Sequence, residues 1–74
     1  MEVGDEIILN SFGARKSRNG DLVGRYGTEA RYEITRIFEG GKLEAESPTG
    51  KPYEVWQEDF EIAPGKKMSI WIKK

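Results

Sequence analysis

The amino-acid sequence predicts a small, all-β domain built from short strands. Nine glycines and three prolines are spread along the 74 residues, and the segments between them alternate apolar with polar side chains. No window of helical length keeps an apolar stripe without a glycine or proline inside it. A chain of this length has room for one modest core, so residues 1–74 are predicted to form a single domain.

The first strand is predicted over residues 3–9, and residues 10–30 then form a long first loop. A structureless loop of about 20 residues is unusual in so small a domain. Asn19 and Gly20 favour the type I′ turn of a two-residue hairpin. The loop is therefore predicted to be an irregular, protruding hairpin.

The next segments predict a tight hairpin, with strands at 31–39 and 42–47 joined by a turn at Gly40 and Gly41. This register pairs Glu39 with Lys42, Phe38 with Leu43, and Arg36 with Ala45. It predicts an apolar core face, which consists of Tyr32, Ile34, Phe38, Leu43 and Ala45. Arg36 falls on the same face, and a bulge near Thr35 or an open end of the sheet would release it.

The second half of the chain predicts a turn at 47–51, a strand through Tyr53 and Val55, and one short helical turn near 57–60. Phe60 and Ile62 then return to the core. The segment 68–72 alternates again, with Met68, Ile70 and Ile72 inward.

Three sequence features coincide with a known arrangement. An opening "VGDEIIL" strand precedes the long loop, a tight central hairpin follows, and "YEVWQEDFEI" places a short turn between the fourth and fifth strands. This pattern resembles the Src-homology-3-like small β-barrels, a group that includes KOW and Tudor modules. The resemblance implies an open five-stranded barrel whose ligands bind at the loops and the exposed strand face.

Composition and charge bear on location and partners. The chain is 36% hydrophobic, lacks cysteine and has a net charge of −1. No apolar run is long enough to span a bilayer, and the acidic first residues do not resemble a signal peptide, so we expect a cytoplasmic protein without a membrane partner. The charge is uneven: residues 11–31 carry +3, residues 39–61 carry −5 and residues 62–74 carry +4.

The sequence also argues against catalysis. Histidine and cysteine are absent, which removes the commonest general base, the thiol nucleophile and the usual zinc ligands. The adjacent acids Glu58 and Asp59 are interpreted as solvated surface, and they lack the spacing of a calcium loop. We therefore expect no enzymatic activity, no metal site and no cofactor.

Two groups of residues are candidates for binding a macromolecule. The first lies in the basic loop and comprises Arg15, Lys16, Arg18, Arg25 and Tyr26. It suits phosphates or an acidic protein surface, although a solvated hairpin tip has the same composition. The second consists of Trp56 and Trp71, which strand parity places outward; exposed tryptophans are typical of binding hot spots, but one of them could instead cover the end of the barrel.

These observations predict a non-catalytic binding module. The favoured partner is a protein, with the domain acting as an adaptor or inhibitor, such as a phage- or mobile-element-encoded regulator of a host protein. The alternative is a nucleic-acid binder that grips the phosphate backbone through loop 15–31 and stacks bases on Tyr26 or a tryptophan. The net charge of −1 favours the protein partner.

Overall fold

A computed structural model describes residues 1–64 of the chain. It contains five strands, β1 (Glu6–Leu9), β2 (Tyr32–Ile37), β3 (Lys42–Glu46), β4 (Pro52–Trp56) and β5 (Phe60–Ile62), and two short helices, α1 (Ser11–Ala14) and α2 (Gly20–Tyr26). Single turns of 3-10 helix lie at Ser17–Asn19, Glu39–Gly41 and Gln57–Asp59. No helix in this part of the chain is long and apolar enough to cross a membrane.

All five strands pair antiparallel in one sheet of order β4-β3-β2-β1-β5. This confirms a mostly β fold with five strands in the described part of the chain. Within residues 1–64 the sheet is not closed, because β4 and β5 lie at its two edges. The predicted helical turn before β5 is confirmed, since a 3-10 turn spans Gln57–Asp59.

The core lies on one face of the sheet and is covered by α2. The strands contribute every second residue, as their alternation predicts. Leu22 of α2 is buried against them, while Val23 and Tyr26 are partly buried. The buried apolar residues of the sheet are Ile7, Leu9, Tyr32, Ile34, Leu43, Ala45, Val55 and Phe60.

The predicted hairpin in the first loop is wrong. A type I′ turn needs positive φ at both central residues, but Asn19 has φ −104° and Gly20 has φ −59°. Asn19 is buried, and its side chain donates hydrogen bonds to Gly13 and Asp59. Gly20 begins α2. The helix ends at Tyr26 and is followed by Gly27, whose φ of 84° suits glycine after a helix C-terminus.

The central hairpin has a different register from the predicted one. Its turn is the three-residue Glu39–Gly41, closed by the Phe38 N–H donating to the Lys42 carbonyl at 2.8 Å. Arg36 pairs with Glu44 rather than Ala45, because the three-residue turn moves the pairing by one residue. A bulge at Thr35 then shifts the register again and pairs Ile34 with Ala45. That bulge, one of the two predicted alternatives, turns Arg36 outward.

One residue of the fifth strand was predicted to lie in the core but is exposed. Phe60 is buried, but Ile62, predicted inward, is 53% exposed at the end of an edge strand. Phe38 is only half-buried, with the Arg36 guanidinium 5.2 Å from its ring centroid. The predicted inward residues of segment 68–72 lie outside the described residues.

Candidate functional site

Residues 10–19, which we call the strap, lie across the 3-10 turn that precedes β5. Asn10 caps α1 by accepting a hydrogen bond from the Gly13 N–H at 2.6 Å. Its amide donates to the Glu58 carbonyl, and its backbone N–H donates to the Asp59 carbonyl, both at 2.9 Å. A short asparagine side chain thus starts the helix and docks it at the same time.

Gly13 is the closest point between the strap and the sheet. A Cβ atom added there would lie 2.1 Å from the Asp59 carbonyl oxygen and 2.6 Å from the Asp59 Cβ. These distances are far shorter than van der Waals contact, and two of the three nearest atoms belong to the backbone. Only glycine therefore allows the strap to approach the turn this closely.

Asp59 is the centre of the docked region, and its side chain is 0% exposed. Its Oδ2 accepts from Arg18 Nε at 2.9 Å and from Asn19 Nδ2 at 3.0 Å. Its Oδ1 accepts from the Arg18 terminal nitrogen at 2.9 Å and lies 3.3 Å from Lys16 Nζ. A buried carboxylate requires such partners, because an unpaired buried charge is strongly destabilising.

The electrostatics keep this carboxylate ionised. Burial raises the pKa of Asp59, but hydrogen bonds from Arg18, Asn19 and Lys16 outweigh it, so that the pKa lies below its ordinary value. Hydrogen bonds from Arg18 and Lys16 likewise lower the pKa of Glu58. The charges of Lys16 and Arg18 are thus balanced by two carboxylates of the same chain.

Trp56 lies beside this cluster, at the end of β4. The Arg18 guanidinium is 5.2 Å from its ring centroid, and Lys42 Nζ is 5.4 Å from it. Lys42 is the cross-strand partner of Trp56 and also donates to Glu54 at 3.3 Å. The indole is half-buried and contacts two cations, each of which an acidic residue holds in place.

The cluster continues to an exposed aromatic on the strap. Lys16 Nζ lies 4.7 Å from the ring centroid of Phe12, which is 59% exposed, and donates to Glu58 at 3.4 Å. Glu58 also accepts from Arg18 at 2.9 Å. These contacts form one continuous patch, called here the Trp56 surface, which consists of Phe12, Lys16, Glu58, Arg18, Trp56 and Lys42.

The outer face of the sheet, opposite the core, is acidic. Cross-strand pairing brings Glu6 opposite Glu33, and Glu33 opposite Glu46. Glu44 and Glu54 form a further pair of like charges. Such pairs oppose folding. We name this the acidic sheet face, and its glutamates are Glu6, Glu33, Glu44, Glu46, Glu54 and Glu61.

The structure gathers three of the predicted site residues, Lys16, Arg18 and Trp56, into one surface. Arg15 is exposed and forms no ion pair within residues 1–64. Arg25 pairs with Asp21 one helical turn earlier, at 3.1 Å. Trp71 lies outside the described residues.

Tyr26 lies in a different region, where α2 packs on the turn between β3 and β4. Its ring makes edge contacts with Tyr32 and Tyr53, with centroids 6.0 and 6.1 Å away. Its hydroxyl lies 3.1 Å from that of Tyr53 and 3.3 Å from Thr49 Oγ1. The residue is half-buried, and part of its ring packs against the core rather than being free to stack a base.

Hydroxyl contacts make Tyr26 unusually acidic. Hydrogen bonds involving Ser47, Thr49 and Tyr53 lower the pKa of Tyr26 to about 8. Burial acts in the opposite direction on its neighbour and raises the pKa of Tyr32 to about 12. The Tyr32 hydroxyl is buried without a hydrogen-bond partner in residues 1–64.

Sequence reasoning missed the central residue of the site. Asp59 was interpreted as solvated surface next to Glu58; Glu58 is exposed, but Asp59 is fully buried. No local signal marks Asp59, because its partners lie about 40 positions earlier in the chain. Gly13, the other missed residue, is one glycine among nine.

Both carboxylates of the cluster are engaged by cations, Lys16 and Arg18. Within residues 1–64, no group of three or more acidic, histidine or cysteine side chains could hold a metal ion. Comparisons with protein-family models, curated proteins and solved structures find no match to this chain.

Proposed function

We propose that this protein is a non-catalytic binding module that binds a protein partner through the Trp56 surface. The observation that carries the proposal is the position of Trp56 between Arg18 and Lys42. Tryptophan and arginine are the residues most enriched in interface hot spots. Here Asp59 fixes a guanidinium group against the indole in the free protein, so the aromatic face is already placed for a cationic group.

The acidic sheet face supports a partner with a basic surface. Four of its glutamates, Glu33, Glu44, Glu46 and Glu61, form no ion pair within residues 1–64. A field of one sign steers an oppositely charged partner and repels others. The face adjoins Trp56, since Trp56 and Glu54 are alternate residues of β4.

A nucleic-acid ligand is less favoured by the same geometry. Of the predicted phosphate contacts Arg15, Lys16, Arg18 and Arg25, Lys16 and Arg18 are neutralised by Glu58 and Asp59. The acidic sheet face would repel a phosphate backbone. Retention on heparin that falls when Arg15 is changed to Glu, with no effect of Trp56→Ala, would instead favour this alternative.

The proposal includes the Src-homology-3-like assignment. Its support is the long first connection, the tightly paired central hairpin and the 3-10 turn at Gln57–Asp59 between β4 and β5. In this interpretation the strap and α2 fill the first loop, so the Trp56 surface lies beside that loop, where modules of this shape bind ligands.

The test is capture of the partner from a lysate of the native host with variants that separate the two surfaces. Trp56→Ala is expected to weaken binding by about 2 kcal/mol or more, as for a hot-spot aromatic. Ile37→Ala is the matched control, because Ile37 is an exposed apolar side chain on another strand. Both variants must retain the wild-type melting temperature.

Charge reversal tests the nature of the partner. Glu44→Lys with Glu46→Lys should slow association and reduce its dependence on salt. The control, Glu39→Lys, reverses one glutamate in the exposed turn at Glu39–Gly41 and should have little effect. Capture that is unchanged by Trp56→Ala and by the double reversal would exclude this interface.

A further inference from the structure

The strap is attached to the rest of the protein almost entirely by polar contacts. Its two buried residues are Gly13 and Asn19, and Phe12 is exposed. Only Ala14 packs an apolar side chain partly against the core. Segments with so little buried apolar surface open locally at low cost, while the sheet remains folded.

Arg18 occupies a site that has the features required for recognising a guanidinium group. Its Nε and one terminal nitrogen donate side by side to the two oxygens of Asp59, each at 2.9 Å. The same terminal nitrogen donates to Glu58 at 2.9 Å, and Trp56 provides an aromatic face at 5.2 Å. A paired carboxylate and an aromatic face select the planar, forked arginine cation over lysine.

We propose that Asp59, Glu58 and Trp56 form a guanidinium-binding site, which Arg18 fills in the free protein and an arginine of the protein partner fills in the complex. The part of this proposal that concerns the partner's arginine rests on the function proposed above, whereas the guanidinium site itself does not. Asp59 is buried, so it cannot be left without a cation. Exchange of one guanidinium for another satisfies this requirement in both states.

The exchange also explains the position of the acidic sheet face. Arg18 belongs to the same chain as the site, so its effective concentration there is high. An arginine of the partner must compete with it. The partner therefore needs further attraction close to the site. Glu44 and Glu46, which form no ion pair within residues 1–64, lie on β3, which pairs with the strand that carries Trp56.

The first experiment empties the site and refills it with a small probe. Ethylguanidinium is added to Arg18→Ala, and binding is followed by the melting temperature and by amide chemical shifts of residues 57–60. We expect saturable binding about tenfold tighter than that of ethylammonium, the ratio that one charge-assisted hydrogen bond provides. The wild-type protein is the control, and it should bind the same probe far more weakly because Arg18 competes for the site.

If Arg18→Ala unfolds the chain at room temperature, ethylguanidinium should restore the far-ultraviolet circular dichroism of the folded protein. Arg18→Lys, which retains the charge without the fork, serves as the second host for the same titration. Binding that does not distinguish ethylguanidinium from ethylammonium in either host would overturn the proposal.

The second experiment tests exchange in the wild-type protein. The peptide acetyl-Gly-Arg-Gly-amide should increase amide hydrogen exchange at Gly13 and Asn19 and leave exchange at Ile34 unchanged, whereas its lysine counterpart should have no effect. Absence of this difference at saturating peptide would overturn the exchange. Neither experiment uses the partner, so failure here is distinguishable from failure of the Trp56→Ala capture test.

Discussion

The first loop is docked to the sheet in two ways. The strap is held by hydrogen bonds and ion pairs around the buried carboxylate of Asp59. The helix α2, directly after it, is held by Leu22, Val23 and Tyr26 against the apolar core. Within one continuous segment, the contacts with the sheet are thus ion pairs and hydrogen bonds before Gly20 and apolar side chains after it.

This difference has consequences for stability and for binding. Apolar docking is non-directional and belongs to the cooperative core. Charged docking depends on the geometry of a few atoms, and its groups can return to water when the segment opens. The strap is therefore the part of the loop suited to exchange contacts with a partner, whereas α2 is the part that completes the fold.

The largest expected effect comes from removing the apolar anchor. Leu22→Ala should reduce the free energy of unfolding by about 3–4 kcal/mol, because it deletes a buried side chain and leaves a cavity. Urea denaturation would measure the loss. Amides of the sheet and the strap should become less protected together, and loss of protection confined to the strap would contradict the assignment of α2 to the core.

The charged anchor should respond differently. Asp59→Ala removes the carboxylate that Arg18, Asn19 and Lys16 share, at a cost of about 1–3 kcal/mol. The cost stays in this range because both cations are partly exposed and keep Glu58 as a partner. Hydrogen exchange should accelerate at Gly13 and Asn19 far more than in the sheet.

The matched control for this change is Asp21→Ala. Asp21 also pairs with an arginine, but both side chains are more than half exposed, so the loss should stay within about 1 kcal/mol. Equal losses for the two variants would show that burial of Asp59 adds nothing to its ion pair.

A pair of glycine variants tests the close approach of the strap. Gly13→Ala places a methyl group against the backbone of Asp59 and should cost about 1–3 kcal/mol through overpacking. Gly24→Ala, inside α2, meets no atom within 4 Å and should be neutral or stabilising by up to about 1 kcal/mol. Thermal melts of the two variants should therefore shift in opposite directions or by clearly different amounts.

The smallest effects concern the tyrosines beside α2. Absorbance at 295 nm should show Tyr26 ionising at about pH 8 and Tyr32 at about pH 12, with the pKa of Tyr53 raised by its hydrogen bond to Tyr26. Tyr26→Phe should remove the early step. A titration in which all three tyrosines ionise together near pH 10 would contradict the hydroxyl contacts.

These two pKa shifts act on stability in opposite directions. The folded pKa of Tyr26 lies below its unfolded value, so its contribution is present above pH 10 and is lost as the pH falls from 10 through 8. The folded pKa of Tyr32 lies above its unfolded value, so its contribution is present below pH 10 and is lost as the pH rises through 12. Urea denaturation at pH 7, 9 and 11 would separate them.

Much of the sheet could be predicted from local pattern. Alternation placed Tyr32, Ile34 and Leu43 on the core side, and a 3-10 turn was expected before Phe60; both are confirmed. These features depend on neighbouring residues alone, because side chains of a strand alternate between its faces. The bulge at Thr35 was foreseen only because Arg36 could not stay on the core face.

The sequence by itself determined the mostly β class, the approximate positions of the five strands within residues 1–64 and the side of the sheet that forms the core, since each follows from periodicity and turn residues. Only the tertiary structure decided how the first loop folds and what its basic residues do. Asn19-Gly20 has a strong local preference for a hairpin turn, but the contacts of Asn19 with Asp59 and Gly13 outweigh it. Residues about 40 positions apart share one buried carboxylate, and no local pattern records such a contact.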